Sequence, residues 1–378
     1  MTEDPKRLPE SSGAETAHRV SAVDATAYTI PTEQPESDGT FDWDSTTIVI
    51  VEITAGGTTG IGYTYASPAA TVVIREHLAP VIIGRDATAI DAAWDAMIRQ
   101  VRNIGRPGIA SAAIAAVDSA MWDLKAKLLG LPLARILDCT RESVPVYGSG
   151  GFTSYSIAEL QSQLAGWVEQ GISRVKMKVG RDPGADVERV RAARAAIGDT
   201  AELFVDANAA YSVDLAGSLA AVFHESRVTW FEEPVSAENF SGLRRLRAEA
   251  PKEMDIAAGE YGYSLGYFRR MLEAEAVDVL QVDATRCAGI SEFLRVGAQC
   301  SVYGLPVSAH AAPALHLHPA CATPGLRHME YFHDHVRIER MLFEGVSEPR
   351  EGSLFPDLGR PGLGIELKRA DAERFRVM

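Results

Sequence analysis

The chain has 378 residues, 46% of them apolar and 23% charged, with a formal net charge of −14 and a sequence pI of about 5.2. Such an acidic balance argues against broad binding to nucleic acid or to anionic membranes, which need basic surface. It leaves anionic small molecules open, because a few buried cations and a metal ion can dominate one site.

The first 17 residues are polar, carry Asp4, Glu10 and Glu15, and lack the apolar core of a signal peptide. Residues 1–20 are expected to be a disordered lead-in. Residues 21–143 read as an α+β unit. Within it, 31–43 (PTEQPESDGTFDW) reads as a polar, mobile loop, and 46–54 (TTIVIVEIT) as a β-branched strand. Ala55-Gly56-Gly57 is its turn and 60–65 the return strand. A helix is predicted over 110–129 from the spacing of Ile114, Val117, Met121, Leu124 and Leu128, stopped by Gly130 and Pro132.

From Val144 the rhythm changes to short apolar runs alternating with helical stretches. The predicted strands are 144–148, 174–179, 202–207, 228–233, 255–260, 278–283, 306–310 and 327–331. Eight strands at such intervals are the repeat of a closed parallel barrel, placed at 144–345. No eighth barrel helix is evident after Tyr331. Residues 346–378, whose start is rich in Gly and Pro, are expected to pack back on the first domain. No apolar run reaches the ~20 residues of a membrane helix. The four cysteines, Cys139, Cys287, Cys300 and Cys321, include no C-x-x-C pair, so neither a zinc knuckle nor a redox motif is expected, and a reducing cytoplasm is.

Nearly every predicted barrel strand ends in a polar residue: Lys176 and Lys178, Asp206, Glu232 (followed by Glu233), Glu260, Asp283, His310 and Glu330. A barrel gathers the C-terminal ends of its strands at one mouth, so these residues should converge. Asp206, Glu232 and Glu260 come from consecutive strands. Three adjacent carboxylates repel unless a cation sits among them, and an oxygen-only set suits Mg²⁺. Lys176 and Lys178, two apart on a strand, share a face, with Val175, Met177 and Val179 on the other. Two close ammonium groups disfavour each other's charge, so a lysine pKa should fall towards neutrality. Lys178, nearer the mouth, is the candidate base, and Lys176 the group that holds a substrate carboxylate. Asp283 would fix the tautomer of His310 and leave its other nitrogen to exchange a proton. Glu330, if protonated, would donate to a substrate carboxylate. His316, His318, His328, His333 and His335 read as structural.

In this set the chain resembles the enolase superfamily, and within it the mandelate racemase subgroup, most of all its acid-sugar dehydratases. The resemblance spans roughly residues 20–370. It is carried by Lys176-Met177-Lys178, Asp206-Ala207-Asn208, Glu232-Glu233-Pro234, Gly259-Glu260, Asp283, His310 and Glu330, with 105–130 similar to the family's capping domain. It implies an α/β chain: a (β/α)₇β TIM-type barrel with an N-terminal α+β capping domain completed by the C-terminal tail. It also implies Mg²⁺ on the three acids, a lysine base facing a His–Asp pair, and substrate contacts from Asn208 and Glu330. Two departures stand out. The family's paired glycines after the dyad aspartate are replaced by Cys287-Ala288-Gly289, and Asp283 stands where the muconate cycloisomerase branch has lysine.

The chemistry so implied is removal of the proton alpha to a carboxylate through an enediolate. With a 3-hydroxyl near His310, water leaves and a 2-keto-3-deoxy acid forms, which makes dehydration of an aldonate or aldarate the leading reading. Without a leaving group the outcome is racemisation or epimerisation of a 2-hydroxy acid. Cycloisomerisation, and a non-catalytic sensing role, are more distant alternatives. Thr40, Trp43, Tyr63, Tyr65 and residues 147–152 are candidates for the pocket wall. A small-molecule carboxylate is the expected partner, with a homo-oligomeric assembly.

Overall fold

The computed structural model describes residues 18–378, so most of the expected lead-in lies outside the described residues. Within the remainder of that span, Arg19 bridges Asp86 and Val20 opens the first strand.

Three antiparallel strands, β1 (Val20–Ser37), β2 (Asp42–Ala55) and β3 (Thr58–Tyr65), form a sheet in that order. β2 and β3 are joined by Gly56 and Gly57 at φ of 56° and 76°. A two-residue hairpin turn of this hand needs positive φ at both positions, which glycine supplies. Most of the stretch 31–43 is not a loop. Pro31 to Ser37 continue β1, and Pro31, Glu36 and Ser37 pair with Ser45, Trp43 and Asp42 across a register shift. The two prolines are tolerated because β1 is the sheet edge.

The helix Ile109–Leu128 lies on β3. Its approach is so close that a Cβ on Gly62 would stand 2.3 Å from Ala116 O and Ala120 N. Alanines and two glycines thus let the sheet and helix backbones meet.

The barrel strands are β4 (Val144–Gly150), β5 (Arg174–Lys178), β6 (Glu202–Asp206), β7 (Val228–Glu232), β8 (Asp255–Ala258), β9 (Val279–Val282), β10 (Val307–Ala309) and β11 (Leu326–Phe332). They pair in sequence, all parallel, and β11 closes on β4 from Met329↔Val146 to Phe332↔Ser149. Outward residues such as Val175 and Met177 join the main core against the surrounding helices. Tyr147, Phe204, Trp230, Ala257 and Val279 fill the barrel interior and floor the mouth.

A helix, His333–Leu342, follows β11 where the sequence shows none. Its inward face carries Asp334, His335 and Glu339 as well as Val336, Ile338 and Leu342, all buried, which hides the apolar stripe that would betray it. Beyond it, Ser353–Leu354 pairs with the start of β4. The chain end then returns to the first sheet: Val377 N donates to Ala27 O at 2.9 Å, and Thr29 N to Phe375 O at 2.8 Å. Among the described residues no helix is long and apolar enough to cross a membrane.

Candidate active site

Parallel register sets Lys178 beside Asp206 and Asp206 beside Glu232, one row across β5, β6 and β7. Glu260 joins them through Gly259 (φ 135°), where an added Cβ would lie 2.1 Å from Gln281 O. Only glycine lets the chain leaving β8 run this close to β9. Carboxylate oxygens of Asp206, Glu232 and Glu260 lie within 4.8 Å of one another, all buried.

Four cations face these acids. Lys178 Nζ lies 2.5 Å from Asp206 Oδ2. Lys176 Nζ pairs with Glu232 Oε1, with Glu330 Oε1 at 2.8 Å and with Asp206 Oδ2 at 3.4 Å. Arg286 Nη1 donates to the Glu260 carbonyl at 3.3 Å and carboxylate at 3.0 Å. His310 Nδ1 meets Asp283 Oδ2 at 2.8 Å. Its Nε2 lies 3.2 Å from Glu260 Oε2, an ion-pair contact without an aligned hydrogen bond. Asp283 is held in turn by Thr285 N and Oγ1, both 2.7 Å from Oδ1.

The electrostatics follow from this crowding. Burial pulls the Lys178 and Lys176 ammonium groups down, but the carboxylates around them outweigh it and hold both above the usual lysine value. The expected fall of a lysine pKa is therefore not what the protein groups alone produce: the acids outweigh the lysine–lysine repulsion. His310 also gains more from Glu260, Glu330 and Asp283 than burial costs it, and rises to about 10. Burial raises the Glu330 carboxyl, yet Lys176 and His310 pull it down to about 2. The donation that Glu330 could make if protonated is therefore opposed by its two cationic neighbours. Burial and the neighbouring Asp206 push Glu232 up to about 8 despite Lys176. Glu260 Oε2 and both oxygens of Glu233 have no hydrogen-bond partner. Buried carboxylates crowded together, one with an unsatisfied oxygen, are a donor set that fits a hard divalent cation such as Mg²⁺.

Above the triad is a cavity of about 400 Å³. Lys178, Asn208, Glu260, Arg286, His310 and Glu330 line its barrel side, and Trp43 and Tyr65 are part of the cover from the first domain. Lys176 does not reach it. It is fully buried, with Glu232, Glu330 and Asp206 around its ammonium group. Thr40 lies behind the wall, 3.3 Å from Asn208 O. Tyr63 turns away to donate to Glu339 at 2.5 Å. Tyr147 lies inside the barrel, its ring 5.4 Å below Lys176 Nζ, and Phe152 backs the ring of Trp43.

Among the wall members that the sequence reading misses are Arg286 and His335. Arg286 stands three residues after Asp283, a spacing that signals a shared turn only once the strand end is known. His335 stacks on Tyr65 with ring centroids 3.4 Å apart, and its Nδ1 accepts from Ala312 N at 3.2 Å. His316 is structural: its Nε2 accepts from Ala284 N at 2.7 Å.

Family comparison agrees with this architecture. Residues 159–372 match the enolase C-terminal domain-like family, and residues 26–138 the mandelate racemase / muconate lactonizing enzyme N-terminal domain. A mandelate racemase/muconate lactonizing enzyme-like protein from Rubrobacter xylanophilus superposes with a TM-score of 0.93 at 51% identity, over 95% of this chain and 100% of that one. The L-talarate/galactarate dehydratase of Salmonella typhimurium LT2 is 32% identical over 94% of this chain and 91% of its own. Its structure liganded with Mg and L-lyxarohydroxamate gives a TM-score of 0.88 at 30% identity, over 100% and 97% of the two chains. A 3,6-anhydro-alpha-L-galactonate cycloisomerase from Streptomyces coelicolor is 31% identical over 90% of this chain and 94% of its own. The chain belongs to the mandelate racemase/muconate lactonizing enzyme family of the enolase superfamily.

Proposed function

We propose that the protein is a Mg²⁺-dependent acid-sugar dehydratase that removes the proton alpha to the carboxylate and expels the 3-hydroxyl as water. The observation that carries this reading is the placement of Lys178 and His310. Both line one cavity, Lys178 against Asp206 and His310 against Glu260, so a proton-transfer group flanks each end of the acidic triad.

Asp206, Glu232 and Glu260 would hold the ion. When bound, Mg²⁺ draws charge from the substrate carboxylate and so acidifies its α-proton. Lys178 takes that proton at Nζ, and the buried Lys176 ammonium beside it disfavours the charged form of Lys178. His310, held by Asp283 as an imidazolium, gives a proton to the departing hydroxyl from Nε2. Asn208 lines the cavity beside Lys178 and is the candidate contact for a substrate hydroxyl.

The test is incubation of the Mg²⁺-loaded protein with a panel of aldonates and aldarates in D₂O, following 2-keto-3-deoxy product and deuterium at the α-carbon. Product formation from at least one member is expected. Deuterium entry without loss of water on every reactive member would replace dehydration by epimerisation, and neither product nor exchange on any member would sink the reading.

A further inference from the structure

The relative with the 32% match takes aldarates, which carry a carboxylate at each end. The cavity here is built for one. We infer that the substrate is a hydroxylated monocarboxylate, an aldonate, whose uncharged end lies under the first domain. This rests on the proposed α-proton chemistry and specifies its substrate.

The two ends of the cavity differ in charge. The barrel end holds the acidic triad, Lys178 and His310, which suffices for one carboxylate. The far end is covered by Phe41, Trp43, Ser45, Thr47, Tyr65 and Ser67. Among the described residues the first domain brings no lysine or arginine to this wall. Its one charged side chain there is Asp38, pinned by Thr40 N at 2.6 Å and Phe41 N at 2.7 Å. A second carboxylate would meet that fixed negative charge with nothing to pair it.

The remaining basic side chains of the wall lie on the barrel side. Arg286 gives Nη1 to Glu260, brings Nε within 3.7 Å of Asp283, and lays its guanidinium over the Tyr261 ring. His335 accepts a backbone N–H at Nδ1, which excludes the doubly protonated ring. Burial agrees, pulling His335 down to about 3.

What the far end does offer suits a polyol chain. The rings of Phe41 and Trp43 stack 6.3 Å apart at 14°, giving apolar faces for a carbon backbone. Ser67 Oγ accepts from Ala69 N at 3.3 Å, so its hydrogen remains free to donate to a substrate hydroxyl. The far end thus offers a donor for hydroxyl groups, and its first-domain wall holds no cation for a carboxylate.

The experiment uses stereochemically matched pairs that differ only at the last carbon, a hexonate against its hexarate, with the Mg²⁺-loaded enzyme. The expected kcat/KM ratio favours the aldonate by about a hundredfold or more. Ser45→Arg, which adds a cation to the far wall, should raise kcat/KM on the aldarate at least tenfold and narrow the ratio. Equal or better turnover of the aldarates by the unaltered enzyme overturns the inference and leaves the dehydratase reading intact. Absence of both product and α-deuterium across all pairs removes that reading, and the inference with it.

Discussion

Replacing Asp283 with asparagine tests the proton-transfer pair most directly, because the structure fixes how the amide must sit. Asp283 Oδ1 accepts from Thr285 N and from Thr285 Oγ1, both at 2.7 Å. A backbone N–H can only donate, so the amide oxygen takes that position. The NH₂ group then faces His310 Nδ1, where Oδ2 stood at 2.8 Å. Two N–H groups cannot share that line, so His310 is driven to the neutral tautomer with its proton on Nε2. The lost charge-assisted bond is worth about 1.5–3 kcal/mol, or roughly 1–2 pKa units, and the opposed N–H groups add to that loss. Misassigned protonation of a general acid costs about 10²–10⁴ in rate. Formation of 2-keto-3-deoxy product should fall by that factor. Deuterium entry at the α-carbon should persist, since Lys178 stands on the other side of the triad. The melting temperature should move little, since the Thr285 bonds survive. The measurement is NMR in D₂O alongside product assay. An unchanged kcat with an unchanged pH profile would show that Asp283 does not set the state of His310.

Three further substitutions test the framework. Lys176→Met leaves Glu232 and Glu330 buried without their shared cation, which should cost about 3–5 kcal/mol. Because a bound ion replaces part of that charge, the loss of melting temperature should be larger in chelator than in excess Mg²⁺, and an equal loss in both would refute the link between lysine and ion site. Gly62→Ala drives a methyl group into the helix backbone at 2.3 Å; a loss of about 1–3 kcal/mol is expected in thermal denaturation, and none would mean the sheet and helix separate freely. Glu339 is pushed up to about 8 by burial, against the opposing bonds from Tyr63 and Ala314. A raised carboxyl binds its proton more tightly when folded, so its contribution is whole below about 4.3 and is lost as pH rises to about 8, by up to ~1.4 kcal/mol per unit. Glu339→Gln should flatten that slope between pH 5 and 8, and an identical slope in both proteins would assign it elsewhere.

The barrel and its acids were legible because each side chain belongs to its own strand end. A short apolar run closing on Asp206, Glu232 or Glu260 carries the position of the residue in the run itself, and parallel register does the rest. The first strand was harder. Pro31 and Pro35 in a polar stretch argue for a loop, and only an edge position, which is a property of the whole sheet, makes a strand with them possible. The helix His333–Leu342 was hidden for a related reason. Its buried face includes Asp334, Glu339 and His335, each satisfied by partners from other elements: Thr46 for Asp334, Tyr63 for Glu339 and Ala312 for His335. Inward polar groups defeat a periodicity argument.

The protonation states show the same division more sharply. From spacing alone, Lys176 and Lys178 repel and one should lose its proton. In the folded barrel each ammonium instead faces carboxylates from β6, β7 or β11, and those attractions dominate. The repulsion argument counts only neighbours on one strand, while the field at Lys178 is set mostly by other strands. Asp206 therefore opposes any loss of charge by Lys178 for as long as its carboxylate faces the ammonium alone. A divalent ion on the triad competes for the same oxygens. Ion binding and the release of the base are then one equilibrium, and Lys178 should exchange protons with a substrate only where the acids are held by something more strongly charged than a lysine.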